Sequence, residues 1–243
     1  MIAHPRRFQR PPCRRRRGGR RISGPERAGS LRIGVPAGIQ GAVFSLSNTV
    51  VQATINGFGS AAIAGSAATL NFEYYTYFFV NAFGQTAVTF TGQNFAAKNA
   101  DRCRAIFRWC VLFGFASSLI LGVTFTALGT RALGLFTTDA AALGFGLVRL
   151  WLVELPDCLT TFYEVPAGAM RGMGWSTLPA VITILGSCVL RVALVTWVFP
   201  LSGTWDTLMV IYPVTWSFMI VAMLVSYVIV RRCCYRSIEC AVA

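Results

Sequence analysis

Residues 140–169 read AAALGFGLVRLWLVELPDCLTTFYEVPAGA, an apolar stretch that nonetheless carries Glu154, Asp157 and Glu164. At about 1.5 Å of rise per residue these positions make roughly 45 Å of helix, enough to cross a hydrocarbon core of about 30 Å with a turn or two to spare at each end. On a helical wheel of about 100° per residue the three acids and Thr161 fall within roughly a quarter turn of one another. A carboxylate near the bilayer centre costs about 2.5–3.5 kcal/mol on insertion scales, so that face must meet water or partners instead of lipid. The stretch predicts a membrane span with one polar face turned to a cavity. Pro156 and Pro166 each remove a backbone donor, which predicts a bend beside Asp157.

The composition agrees with a chain in a lipid bilayer. Of 243 residues 55% are hydrophobic, the mean hydropathy is +0.58, and only 13% are charged, about half the usual share of about 25% in soluble domains. The formal charge of +13 resembles a nucleic-acid footprint until it is located. Residues 1–32 hold eleven of the 22 basic residues against one acid, Glu26, and the body is only mildly basic. No nucleic-acid partner is expected, and residues 1–30, rich in Arg, Pro and Gly, are expected to form a disordered tail. The eight cysteines show no CxxC pair and the only histidine is His4, so neither a zinc site nor a disulfide framework is indicated. No metal and no cofactor are expected. GxSxG, HExxH and P-loop patterns are absent from the sequence, which argues against an enzyme.

Six spans are predicted, within an all-α membrane lobe over residues 31–232 and ahead of a short tail at 233–243. The first, from about Ile33 to Asn56, carries a stripe of Gly41, Ser45, Asn48, Gln52 and Asn56; Gly34, Gly38 and Gly41 read as close helix packing, and Asn48 and Gln52 as cavity lining. After a small-residue turn, GFGSAAIAGSA, the second runs from about Thr69 to Asn94 with Glu73, Tyr77, Asn81, Gln85 and Thr89 at i to i+4. Two consecutive polar stripes are expected to converge with the acidic face of 154–164; Glu73, near the expected helix start, reads equally as solvated. The third span, Ile106 to Gly129, carries Arg108 at its start, has no charge between Trp109 and Thr130, and is the most lipid-like. Asp139 is placed to start the fourth helix. The fifth, Leu178 to Phe199, contains Arg191, expected in a structural pairing, and the sixth runs from Thr207 to Val230.

At this point the residues carry a resemblance. IGVPAGIQGAVFSLSN (33–48), FTGQNFAAKNADR (90–102), LGLFTTD (133–139) and AGAMRGMGWSTLPAVI (167–182) followed by CVLRV resemble, in order and spacing, the second half of the multidrug and toxic compound extrusion (MATE) family of efflux transporters. The resemblance implies a twelve-helix transporter of two six-helix lobes around a central cavity, of which this chain is similar to the C-terminal lobe. It implies export of lipophilic or cationic compounds from the plasma membrane in exchange for H⁺ or Na⁺, with a first lobe or a second copy as partner. In this alignment Asp157 falls on the intramembrane acid of the family's tenth helix. Where some members carry a carboxylate on the seventh helix, this chain has Phe44, Ser45 and Ser47. The candidate substrate or ion-coupling residues are Asp157 and Glu154, with Asn48, Gln52, Tyr77, Asn81 and Gln85 as orienting groups and Glu73 and Glu164 as further candidates. A truncated remnant or interaction module, and a lipid-carrier flippase, remain open beside the antiporter.

Basic residues gather in the N-terminal tail, the 95–108 loop, Arg171 and the tail after Val230, whereas the intervening loops hold only Arg131. By the positive-inside rule both termini are cytoplasmic. Reporters fused after residues 101 and 232 should be cytoplasmic and one after 203 external; a cytoplasmic reporter at 203 would overturn the six-span topology.

Overall fold

The structure, a computed structural model, describes residues 24–242; most of the Arg-rich segment lies outside them. Among the described residues the chain forms six helical rods and no strand. These are α1 (Gly24–Asn56), α2 (Ser60–Ala96), α3 (Ala100–Leu133), α4 (140–172), α5 (Thr177–Ser202) and α6 (Trp205–Val242). By length and composition α3, α5 and α6 are apolar enough to cross a membrane. In α3 only 22% of the most apolar window is buried, against 50% in α5 and 39% in α6. Trp109, Leu112, Phe113 and Ile120 project outward from it, so α3 presents a broad lipid-facing surface, as the absence of charge between Trp109 and Thr130 predicts.

The turns follow from local chemistry. Gly59, at φ 91°, takes the left-handed conformation that closes the α1–α2 turn. Asn99 caps α3 by accepting from the Arg102 amide at 3.0 Å, and Asp139 caps α4 by accepting from the Ala141 amide at 3.0 Å. Helix α5 continues past Pro200 and stops at Gly203, whose φ of 62° ends it in a left-handed cap. Helix α6 runs on through the segment expected to be a cytoplasmic tail.

Helix α2 is the centre of the bundle, packing along its length on both α3 and α4, while α6 packs on the far side of α4 and α5 joins α6 to α1. The α2–α4 seam is built from glycines. A Cβ on Gly65 would lie 2.2 Å from the Ala142 carbonyl oxygen, one on Gly168 2.3 Å from that of Gly84, and one on Gly172 2.7 Å from that of Val88. Backbones this close leave room for no side chain, and close approach replaces the hydrophobic driving force that lipid removes. The glycines expected to do this in α1 do not: a Cβ at Gly38 or Gly41 meets nothing within 4 Å, and the surroundings of Gly34 are not among those described.

Between the glycine contacts the seam carries polar rungs. Arg149 donates to both carboxylate oxygens of Glu73, Nε at 2.5 Å and Nη2 at 2.8 Å, and its Nη1 donates to Ser66. Thr69 donates to the Gly146 carbonyl at 3.2 Å and Thr76 to Glu154 Oε1 at 2.6 Å. Glu73 is therefore neither at a helix end nor solvated. The small-residue run 60–67 reads as a turn from its glycines and serines, but it folds as the first turns of α2 because only small side chains allow α4 to approach there.

Gly65→Leu and Gly168→Leu should abolish the folded, monodisperse fraction in detergent, while Gly41→Ala should leave it unchanged. Glu73→Gln, by stranding a buried guanidinium, should cost about 3–5 kcal/mol of stability in thermal unfolding, and Arg149→Met added to it should recover much of the loss. Full stability of Glu73→Gln would contradict the pairing.

Candidate functional site

Beside the seam lies a cavity of about 410 Å³ walled by α1, α2, α4, α5 and α6, within the size range of small-molecule sites. Its position depends on an irregularity in α4. The helix is regular over Ala140–Arg149, widens to a π-helical turn over Leu150–Glu154, tightens to 3₁₀ over Leu155–Thr160 and becomes regular again over Thr161–Gly172. Pro156 cannot donate to the preceding turn, and the hydrogen-bond register shifts around it. Pro166 sits inside the regular segment with no such shift. The expected bend at Pro156 is thus a change of register, with the residues at its junctions remaining in right-handed helical conformation.

That change of register overturns the single acidic face expected from a uniform helical wheel. Glu154 is fully buried against α2, where it accepts from Thr76. Thr161 turns to α3, its hydroxyl 3.5 Å from that of Ser118. Glu164 lies beside α2 near Gly84. Asp157 alone of the three acids reaches the cavity. It is 8% exposed and its Oδ2 has no hydrogen-bond partner among the described residues.

The two polar stripes converge in part. Asn48 and Gln52 from α1, and Glu73 and Tyr77 from α2, line the same cavity as Asp157. Gln52 also donates to Asn56 at 3.1 Å. Asn81 is not on the wall, but its amide donates to the Tyr77 hydroxyl at 3.2 Å and so holds that ring. Gln85 is exposed farther along α2, and its carbonyl accepts from Thr89. Five expected residues are brought together, one supports them, and Glu154, Glu164 and Gln85 lie elsewhere.

The sequence reading passed over Arg149, although a basic residue within an apolar run is itself a signal that a buried acid must exist. It also passed over Tyr163, Tyr212 and Trp216, which give the cavity aromatic walls. Tyr212 and Trp216 stand one turn apart on α6 around Pro213, a spacing that places both on one face. Arg191 does reach the cavity, yet it makes no salt bridge among the described residues. Its contacts are the Tyr212 ring, 4.7 Å from the guanidinium carbon, and a 3.4 Å hydrogen bond to Thr215. The arrangement offers a carboxylate and amides to a cation or donor, and π faces to an apolar or cationic body. Among the described residues no cluster of His, Cys, Asp and Glu suited to a metal ion occurs.

Comparison with known proteins places this architecture. The chain is 25% identical over 154 residues to a "Probable multidrug resistance protein YoeA" of Bacillus subtilis, covering 63% of this chain and 33% of that one. Its structure is similar to that of a MATE protein in complex with MaL6, at a TM-score of 0.76 and 15% identity, over 89% of this chain and 48% of the other. It is similar also to the Vibrio cholerae MATE transporter VcmN in its bent form, at a TM-score of 0.75 and 18% identity, over 88% and 48%. The chain spans about half the length of these solved structures, and a third of the curated relative. The family match itself extends over residues 36–197, from the first helix through most of the fifth. The chain belongs to the MatE family.

Proposed function

We propose that this chain is one lobe of a secondary antiporter that exports lipophilic or cationic compounds in exchange for H⁺ or Na⁺. The observation that carries the reading is Asp157: a buried carboxylate oxygen without a partner among the described residues, on the wall of a cavity lined by Tyr77, Tyr163, Tyr212 and Trp216. An unpaired carboxylate in such a place is costly unless an ion or ligand visits it. Asn48, Gln52 and Tyr77 orient that visitor, Asn81 acting through Tyr77. Glu154, Glu164 and Gln85 act in this reading as structural or surface groups of α4 and α2.

The multidrug name of the Bacillus subtilis relative agrees with this substrate class. A first lobe, or a second copy of the chain, closes the cavity on its open side, and both termini face the cytoplasm from the plasma membrane. The role is transport, as in other members of the family, and not catalysis.

The test is Asp157→Asn in the complete transporter, with the first lobe present or supplied by fusion, reconstituted in vesicles under an imposed H⁺ or Na⁺ gradient. The amide keeps the shape and loses the charge. Gradient-driven export of a lipophilic cation should cease, and the gradient that drives the parent identifies the coupling ion. Because the substitution removes an intramembrane charge worth about 2.5–3.5 kcal/mol, thermal stability should be unchanged or higher. Undiminished export in the variant would overturn the role of Asp157, and export by neither gradient in the parent would favour a remnant or interaction module.

A further inference from the structure

Resting on the reading of this cavity as a binding chamber, we propose that Arg191 forms an anion-accepting pole in its wall, taking the carboxylate of an aromatic organic acid. Arg191 lies in α5 between two π-helical stretches, Ile184–Leu190 and Leu194–Val198, and is 3% exposed. A guanidinium buried to this degree ordinarily sits against a carboxylate. Among the described residues its one hydrogen bond is the long one from Nη2 to Thr215 Oγ1, and Nε has no partner. The Thr215 hydroxyl spends its proton on the Tyr212 carbonyl at 2.8 Å, so toward Arg191 it only accepts.

Arg149 supplies an internal contrast. Its guanidinium stands 5.6 Å from the same Tyr212 ring, but Glu73 and Ser66 take its donors. Among the described residues Arg191 shares the ring and lacks the acid. The ring's negative face offsets part of the charge without supplying lone pairs in the guanidinium plane.

The missing lone pairs specify the ligand. A planar carboxylate matches the guanidinium fork by two parallel charge-assisted bonds. Tyr212, against Arg191, and Trp216, on the same cavity wall, offer an aromatic body a surface that a small inorganic anion would leave uncovered. Asp157, on the same cavity, repels the anionic end and so fixes which way round such a ligand enters.

Calorimetric titration of the full chain in detergent with naphthoate, methyl naphthoate and naphthylmethylammonium tests this. Naphthoate should bind and quench tryptophan emission, and its uncharged ester should bind about tenfold more weakly or worse, because the charge-assisted pair is lost. Arg191→Gln should reduce naphthoate to the level of the ester without weakening the ammonium probe, and Arg191→Lys should fall between. Naphthoate bound no better than its ester by the unsubstituted chain, or bound equally by Arg191→Gln, overturns the proposal; the acid-against-ester comparison needs no variant to fold. The ammonium probe separates the two readings. Ammonium binding that is lost in Asp157→Asn, with no preference for naphthoate, leaves the cation site standing and removes the anion pole. An anion preference with ammonium binding indifferent to Asp157 does the reverse.

Discussion

The bidentate contact between Arg149 and Glu73 is the constraint on which the rest of the bundle depends. It ties α4 to α2 at the level of the cavity, where both charges are nearly buried, with side-chain exposures of 2% and 14%. Two charges in such a place demand close approach, because each is costly without the other. Close approach in turn demands that the backbones touch, and Gly65, Gly168 and Gly172 permit this above and below the pair. The polar rung and the glycine contacts are one device. The glycines bring the charges within reach, and the charges set the register in which the glycines meet.

With that seam in place, the remaining helices have little freedom. Trp205 donates to the Phe145 carbonyl at 3.1 Å and holds α6 on α4, and Ser47 donates to the Ser187 carbonyl at 3.2 Å and holds α1 on α5. The space left between these four and α2 is the cavity. The π and 3₁₀ turns around Pro156 then decide which acid enters it. A regular helix would have kept Glu154, Asp157 and Glu164 together, whereas the observed register sends Glu154 to Thr76 and leaves Asp157 facing the chamber. The acid held by α2 and the acid on the cavity wall are thereby separated within a few residues of one helix.

Much of the architecture was legible in the sequence, because apolar length and basic loops are direct consequences of the bilayer. The six helices and the start of α4 at Asp139 are of this kind. The cavity was legible in part: the period of Asn48, Gln52, Glu73 and Tyr77 places them on faces, and those faces do meet Asp157. Three features were not legible, each for a physical reason. The α4 register depends on how a proline's missing donor is absorbed, which a uniform wheel does not represent. A glycine's role depends on what lies opposite, so Gly65 and Gly41 look alike in sequence and differ wholly in space. The partner of a buried charge belongs to the tertiary fold, so the sequence leaves Glu73 open between a solvated and a cavity-facing position, and Arg149 against it decides.

The central claim is that a water-accessible polar cavity lies inside a bundle whose outer surface faces lipid. Asn48 and Ile120 are both exposed in the chain, the former on the cavity wall and the latter on the outer face of α3. The most direct measurement is thiol labelling of Asn48→Cys and Ile120→Cys, each in a cysteine-free background in permeabilised membranes, with a water-soluble maleimide. The cavity position should label readily and the lipid-facing position should not. Equal labelling of the two, or a cavity position that refuses the reagent, would contradict the account.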